Sequence, residues 1–310
     1  MKKISVRIHC YNEKENIRGI CEAVVAQINS LEKYDYEIVL IDNKSTDGTR
    51  DIIREMCNKN PKIKAIFNIR NFGGITSPFY ALMQCTGDCV ISMCADFQDP
   101  PDLIPLMVQK WEEGNKVICM IKTKSEESRL MYWLRGRYYA FIKKISDIEL
   151  IQQFTGFGLY DKSFIDILRR LNDPIPFFRG IVAEFAPDHL EIPYTQPVRR
   201  AGKSHYSWYK LYDLAMLSFT SYTSIGLRTA TFLGIGIAFV SIIIALVYFI
   251  MKLVKWNSFV AGTAPIVVGM FFLGAVQLIF LGLIGEYILR MNQRIINRPL
   301  VVEEERINFD

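Results

Sequence analysis

Residues 94–101 have the sequence CADFQDPP and decide the fold. They follow a strand of the kind that is buried in a sheet, and they contain two acidic residues and a double proline. The run before them, residues 89–93, is short and apolar, as in an interior strand. Open α/β sheets bind ligands outside the carboxyl ends of their strands. A hard cation such as Mg²⁺ or Mn²⁺ prefers a few carboxylates together with diphosphate oxygens. The stretch therefore predicts a ligand-binding edge, with a turn of solvated acids as the alternative.

The chain before this stretch alternates between strand and helix patterns, which predicts an α/β fold with βαβ units and a mostly parallel sheet. Right-handed crossovers bring the loops after the strands to one rim of such a sheet. The tetrad at 45–48, STDG, predicts a helix N-cap followed by a turn glycine. The predicted strands are 4–10, 36–41, 63–68 and 89–93, and the predicted helices are 16–30, 49–58 and 75–84.

The C-terminal part has a different composition. Residues 229–251 and 258–285 contain no charged side chain, and each run is long enough to cross about 30 Å of hydrocarbon as a helix. Buried core helices of a soluble protein are the alternative. The predicted organisation is a catalytic domain at 1–205, an aromatic-rich interfacial segment at 206–227, two transmembrane helices within 228–290 (about 229–251 and 262–285) and a cytoplasmic tail at 291–310.

Charge and cysteine usage indicate the compartment. More arginines flank the two apolar runs than lysines lie between them, so the positive-inside rule places both flanks in the cytoplasm of a multi-pass plasma-membrane protein. The N-terminus lacks a long apolar run and is predicted to be a strand rather than a signal peptide. Seven cysteines without a CxxC pair suit reduced thiols in a cytoplasmic domain. A net charge of +5 is small for 310 residues and does not suggest a nucleic-acid partner.

Three loops carry the polar residues of the predicted rim. Tyr11 and Glu13 suit a base and a ribose hydroxyl, Asp42 ends the second strand, and Asp96 suits a metal and a diphosphate. Neither GxxxxGK[ST] nor GxGxxG occurs in the sequence, so phosphate must be held by metal and basic side chains. Together these loops predict a nucleotide-diphosphate site.

The order of four motifs resembles the family 2 glycosyltransferases of GT-A fold. The motifs are YNE at 11–13, DNKSTDGT at 42–49, RNFGG at 70–74 and ADFQDPP at 95–101. Within that family the chain is most similar to the polyprenyl-phosphate sugar transferases, the group of dolichyl-phosphate mannose synthase and of bacterial undecaprenyl-phosphate glucosyltransferases with C-terminal membrane helices. The resemblance covers nearly the whole chain. It implies a nucleotide-sugar donor, a polyprenyl-phosphate acceptor at the membrane, a Mg²⁺ or Mn²⁺ cofactor and inversion at the anomeric carbon.

The resemblance also implies roles for individual residues. Those assigned to the donor are Tyr11 and Glu13 for the nucleoside, Asp42 for the base, Asp96 and Gln98 for the metal and diphosphate, and Arg199, Lys203 and Ser204 for closure over the phosphates. Those assigned to the acceptor phosphate are Lys122, Lys124, Arg135 and Arg137, although a solvated or lipid-facing basic helix is the alternative for this stretch.

The sequence departs from the family pattern at three places. Cys94 and Asn43 stand where aspartates are usual, and residues 155–159 read TGFGL where relatives often have GDFRL. These departures leave open a non-catalytic membrane scaffold that retains the pocket. A processive glycan synthase is a second alternative, but its QxxRW motif is absent. The identity of the sugar, the base and the lipid, and homo-oligomer formation, stay open.

Overall fold

The sheet is built outward from β1 (Lys2–Cys10) in the computed structural model. The structure describes residues 1–124, 137, 150–171, 173–197, 216–217, 232–237, 239–240, 243, 247, 250, 254, 263–296 and 298–309. The remaining strands are β2 (Tyr34–Asp42), β3 (Ile63–Asn68), β4 (Cys89–Cys94), β5 (Val117–Lys124), β6 (Phe154–Asp161), β7 (Leu190–Thr195) and β8 (Glu303–Ile307). The helices are α1 (Ile17–Asn29), α2 (Thr49–Lys59), α3 (Gly73–Gln84), α4 (Ile104–Glu112, after a 3₁₀ turn at Pro101–Leu103), α5 (Lys162–Leu171), α6 (Phe178–Phe185) and α7 (Thr263–Ile296).

The eight strands form one sheet in the order β7-β5-β6-β4-β1-β2-β3-β8. The central strands β4, β1, β2 and β3 are all parallel, whereas β6 and β8 pair antiparallel with the strands beside them. The predicted α/β fold with a mostly parallel sheet is confirmed. The chain runs from β1 to β2 and β3 on one side and then returns to place β4 on the other side of β1. This reversal creates a crevice at the carboxyl ends of β1 and β4, where ligands bind in such sheets.

Apolar side chains cover both faces of the sheet. Ile4, Val6 and Ile8 of β1 pack in the layer that includes α1, α2 and α4. Val39 and Ile41 of β2 pack in the opposite layer, which includes α3, α5 and α6. The alternation of these residues along each strand is what the period of a β-strand requires.

The second face of β1 is polar although it is buried. Ser5 is 0% exposed and Arg7 is 6% exposed, and both lie between apolar neighbours in sequence. A buried arginine needs partners because an uncompensated charge in the interior is costly. This polar stripe leads along β1 towards the carboxyl edge of the sheet.

The C-terminal region returns to the sheet. After α7, the segment at 303–307 forms the edge strand β8, a strand that is not predicted from the sequence. Counted over the described residues alone, no helix is both long enough and apolar enough to cross a membrane. The predicted interfacial segment and first transmembrane helix lie mostly outside the described residues.

Candidate functional site

Two loops at the carboxyl edge are joined into one wall. The backbone N–H of Asn12 donates to Ser45 Oγ at 2.9 Å, and the N–H of Thr46 donates back to Asn12 Oδ1 at 2.8 Å. The N–H of Glu13 donates to Thr49 Oγ1 at 3.0 Å. Because these bonds satisfy polar groups of both loops, the loop after β1 and the loop after β2 form a single preorganised surface.

Tyr11 and Glu13, the residues predicted to hold the nucleoside, lie on this wall. Tyr11 is half-buried, and Glu13 is buried at the start of α1. Glu13 Oε2 accepts from Asn16 Nδ2 at 2.7 Å, while its carbonyl accepts the N–H of Ile17. The carboxylate is therefore oriented by Asn16, the residue that precedes α1.

Asp42, predicted to bind the base, is fully buried at the end of β2. Its Oδ1 accepts the N–H of Lys44 at 3.1 Å and of Ser45 at 3.1 Å. Arg50 Nε lies 2.9 Å from the same oxygen, as an ion pair whose N–H is not directed at it. Burial raises the pKa of Asp42, and Ser45 and Arg50 oppose that effect. The carboxylate thus organises the loop from inside.

The predicted N-cap and turn glycine at 45–48 lie at the start of α2. Gly48 has φ of 96° and precedes the first residue of α2, in the left-handed region that favours glycine. The N–H of Thr49 donates to Asp47 Oδ1 at 3.0 Å. Asp47 therefore supplies the carboxylate that the start of the helix needs.

Asn43, which stands where an aspartate is usual, connects the wall to the start of α3. Its Nδ2 donates to Asn71 Oδ1 at 2.9 Å and to the carbonyl of Gly73 at 3.0 Å. Its Oδ1 accepts from the N–H of Phe72 at 2.9 Å and from Asn68 Nδ2 at 3.2 Å. An aspartate has no N–H to donate when ionised, so this departure from the family pattern is explained by the hydrogen bonds it makes.

The second wall of the crevice is the turn after β4. Asp96 is 5% exposed and its Oδ1 accepts the N–H of Gln98 at 3.1 Å. Phe97 between them has φ of 62°. Asp99 is equally buried, and its Oδ2 accepts the N–H of Cys94 at 2.9 Å. Two carboxyl groups are therefore held in one tight turn at the predicted metal position.

The electrostatics of this turn are unusual. Burial, with a contribution from the charge of Asp96, raises the pKa of Asp99 to about 6. Burial also raises the pKa of the half-buried Cys94 thiol well above its usual value. The surroundings of Asp99 thus disfavour its charged form, a condition found at functional sites.

Arg7 on β1 is a buried cation whose charge acts on Asp99, and the motifs do not identify it. Its guanidinium donates to Ser92 Oγ, to the carbonyl of Met93 at 3.4 Å and to His9 Nδ1 at 2.9 Å. Because arginine cannot accept a hydrogen bond, His9 carries its proton on Nε2 in this contact. Burial lowers the pKa of Arg7, and the charge of Asp99 counters that effect. An arginine in the middle of an apolar strand is the sequence signal that could have revealed it.

Of the four residues predicted for the acceptor phosphate, the structure describes three. Lys122 is half-buried on β5, Lys124 is the last residue of that strand, and Arg137 is exposed. The other acceptor residue, Arg135, and the predicted donor residues Arg199, Lys203 and Ser204 lie outside the described residues.

The remaining predicted donor residues lie together at the carboxyl edge of the sheet: Tyr11, Glu13, Asp42, Asp96 and Gln98.

The segment at 155–159 belongs to β6 and explains another departure. A Cβ on Gly158 would collide with the carbonyl of Ile118 on the neighbouring strand. A side chain as long as arginine therefore cannot be accommodated at this position without moving β5. Glycine at position 158 instead allows β5 and β6 to approach each other closely.

The described residues hold no group of three or more His, Cys, Asp or Glu side chains arranged as a metal site. Asp96 and Asp99 nevertheless form a pair of buried acids, and the pKa of Asp99 is raised. A cation that takes most of its ligands from a diphosphate needs only one or two protein carboxylates. The residues present thus fit Mg²⁺ or Mn²⁺ held jointly with a nucleotide.

Comparison with known proteins gives consistent matches. Residues 5–169 match the model of the family described as Glycosyl transferase family 2. The chain is 31% identical over 298 residues to the SfII prophage-derived bactoprenol glucosyl transferase of Shigella flexneri, covering 96% of each protein. It is 29% identical to the prophage bactoprenol glucosyl transferase homolog of Escherichia coli (strain K12), covering 96% of this chain and 97% of that protein. Among solved structures it is similar to the mannosyltransferase PcManGT from Pyrobaculum calidifontis in complex with GDP-Man and Mn²⁺, at 18% identity and a TM-score of 0.47 over 71% of this chain and 62% of that one.

Proposed function

The chain belongs to glycosyl transferase family 2, and from this premise we propose that it transfers a hexose from a nucleotide diphosphate to a polyprenyl phosphate at the cytoplasmic face of a membrane. The observation that carries the proposal is the nearly full-length similarity to proteins named bactoprenol glucosyl transferase, since it includes both the site loops and the apolar C-terminal part. Glucose is accordingly the first sugar to test.

The donor is proposed to bind in the crevice between the two walls. Tyr11 and Glu13 face the nucleoside, and Asp42 holds the loop that meets the base. The support is that all three lie at the carboxyl ends of β1 and β2, next to the point where the strand order reverses. The backbone bonds between the two loops keep this surface formed before the donor arrives.

Asp96 and Gln98 are proposed to hold Mg²⁺ or Mn²⁺ with the diphosphate of the donor. When bound, the cation neutralises negative charge that develops on the departing diphosphate. Asp99 supports the turn by accepting the N–H of Cys94. Its raised pKa indicates an edge that favours added positive charge.

Transfer is proposed to proceed by attack of an acceptor phosphate oxygen on the anomeric carbon, which inverts its configuration as the bond to the diphosphate breaks. A phosphate is anionic near neutral pH, so the reaction needs no strong general base. Positioning of the two substrates then supplies much of the rate. Arg199, Lys203 and Ser204 are proposed to close over the donor phosphates, and Lys122, Lys124, Arg135 and Arg137 to bind the acceptor phosphate.

The apolar runs at 229–251 and 262–285 are proposed to form a transmembrane hairpin, with 206–227 at the interface. Large apolar side chains are exposed along both runs at the described positions, as lipid-facing residues are. Among them are Phe232 (72% exposed), Phe239 (65%), Ile266 (69%) and Leu278 (70%). Such a hairpin would hold the enzyme where the head group of its acceptor lies.

The test is transfer into extracted lipid. Membranes containing the full chain are incubated with undecaprenyl phosphate, Mg²⁺ or Mn²⁺ and radiolabelled UDP-glucose, UDP-N-acetylglucosamine or GDP-mannose in separate reactions. We expect label in the lipid fraction with one donor, dependent on added undecaprenyl phosphate and lost on chelation. Membranes without the chain are the control. Absence of labelled lipid with every donor, from a chain shown to be folded, would favour the non-catalytic scaffold.

A further inference from the structure

The C-terminal strand β8 contacts the loop after β2, residues 43–48, through the carboxylate of Glu304. The register between β3 and β8 shifts between Phe67 and Asn68, and Glu304 lies at this shift. Glu304 Oε2 is 2.8 Å from Lys44 Nζ and 3.0 Å from Arg50 Nη2. Lys44 belongs to the loop after β2, and Arg50 to the first turn of α2.

Arg50 in turn links Glu304 to the buried Asp42. Its Nε is 2.9 Å from Asp42 Oδ1, and its Nη2 donates to the carbonyl of Asn68 at 3.2 Å. The guanidinium also lies over the Phe67 ring, 5.0 Å from the centroid. The Arg50 guanidinium therefore lies between the buried carboxylate of Asp42, at the end of β2, and the exposed carboxylate of Glu304, on β8. Networks of several charges hold geometry better than isolated surface pairs.

We propose that Glu304 is a positioning residue of the donor site: it holds Lys44 and Arg50 so that the loop at 43–48 and Asp42 keep the geometry that binds the nucleotide. This role rests on the proposed function for its effect on the donor. The contact joins residues 260 positions apart in the sequence. The edge strand β8, which follows α7, thus supports the proposed donor site through Glu304.

Other bonds fix β8 independently of Glu304, so its role can be tested without losing the strand. Arg54 Nη2 is 2.7 Å from Glu305 Oε2. Asn308 Nδ2 donates to the carbonyls of Cys57 at 2.9 Å and Ile63 at 2.8 Å. Because none of these contacts touches the loop at 43–48, Glu305→Gln removes an ion pair of the same strand and serves as the matched control.

The experiment compares Glu304→Gln and Glu305→Gln in the full chain. Hydrogen exchange is followed in peptides covering 43–50, where the N–H groups of Lys44 and Ser45 donate to Asp42. We expect faster exchange there in Glu304→Gln and unchanged exchange in Glu305→Gln. With UDP-glucose as donor, KM should rise by about threefold to tenfold while kcat stays within about twofold.

A double variant separates positioning from loss of a surface charge. In a Lys44→Met background, the additional change Glu304→Gln should produce a smaller effect than it does alone, because one of its two partners is already absent. Wild-type exchange at 43–50 in Glu304→Gln would overturn the inference. If the wild-type chain transfers no sugar, the proposed function fails, while the exchange comparison still decides whether Glu304 holds the loop.

Discussion

Glu37 and Asp99 are both buried carboxylates, yet their pKa values are shifted in opposite directions at the two ends of the sheet. Glu37 is 2% exposed and Asp99 is 4% exposed. Burial alone would raise the pKa of Glu37, but hydrogen bonds from Ser5 and Thr86 and the ammonium of Lys64 outweigh it and lower the pKa to about 2. Burial and the charge of Asp96 raise the pKa of Asp99 to about 6.

The difference lies in how each carboxylate is paired among the described residues. At the amino end, Glu37 lies 3.0 Å from Lys64 Nζ and 3.5 Å from Lys3 Nζ, so the acid is fully paired. At the carboxyl end, Asp99 accepts the backbone N–H and the thiol of Cys94 and a long contact of 3.5 Å from the Tyr194 hydroxyl, and the charge of Arg7 acts on it without a close ion pair. The first arrangement stabilises the fold, and the second places a carboxyl group of raised pKa where we propose that a cation binds with the donor.

The largest expected effect comes from removing charge at the carboxyl end. Asp96→Asn should lower turnover by at least about a hundredfold, because stabilisation of the departing diphosphate accounts for a few kcal/mol. Initial rates of lipid-linked sugar formation at saturating donor measure it. Asp102→Asn, a change at an exposed acid in the following 3₁₀ turn, is the control and should keep the wild-type rate. Near-normal transfer by Asp96→Asn would remove Asp96 from the metal assignment.

The corresponding change at the amino end should affect stability instead. Glu37→Gln should lower the free energy of unfolding at pH 7 by on the order of 3 kcal/mol, because the depressed pKa is a measure of how strongly the folded state favours the carboxylate. Urea unfolding in detergent measures it. Glu55→Gln, an exposed helix acid paired with Arg18 and Lys59, should cost little.

The pH dependence of that effect has a definite sign. Since the folded pKa of Glu37 is below its unfolded value, its contribution is present above pH 5 and is lost as pH falls towards 2. The stability difference between wild type and Glu37→Gln should therefore shrink between pH 5 and pH 3. A difference that stays constant over this range would show that the residue acts through packing rather than charge.

The first half of the fold could be predicted from the sequence because its signals are local. The predicted strands and helices up to residue 93 agree with the observed bounds to within about two residues, as apolar periodicity allows. Strand β8 was missed because its sequence, EEERI, has almost no apolar alternation. Its place at the edge depends on pairing with β3 and on ion pairs to α2, which are long-range contacts.

The position of the loops that carry the candidate residues was predicted to a similar extent. The loops that carry Tyr11, Asp42 and Asp96 do meet at one edge, as parallel strands require. The compensation of their charges could not be predicted, since Arg7 and Asp99 act through burial and through neighbours distant in sequence. Asn43 was noted as a departure, but its four hydrogen bonds are visible only in three dimensions.

Asn43 lies at the carboxyl edge, but its side chain is fully hydrogen-bonded, as Glu37 is at the amino end. Asn43→Asp should destabilise the chain by about 1 to 3 kcal/mol, because the new carboxylate cannot donate to Asn71 or to the Gly73 carbonyl. Urea unfolding measures it, and Asn58→Asp on the exposed face of α2 is the control. Unchanged stability together with tighter metal binding would mean that this position belongs with Asp96 instead.

The smallest expected effect tests whether the carboxyl edge accepts more negative charge when a cation is present. Cys94→Asp adds a carboxylate beside Asp96 and Asp99, so it should lower stability without metal and lower the Mg²⁺ or Mn²⁺ concentration for half-maximal transfer by about threefold to tenfold. Cys94→Asn has similar size and no charge, and it should leave the metal dependence unchanged. The thiol is half-buried and the Cys94 N–H already donates to Asp99, so the backbone of the turn is preserved in both variants. Complete loss of transfer by Cys94→Asp with an intact fold would show that this pocket requires the uncharged side chain, and the turn after β4 would then be limited to Asp96 and Asp99.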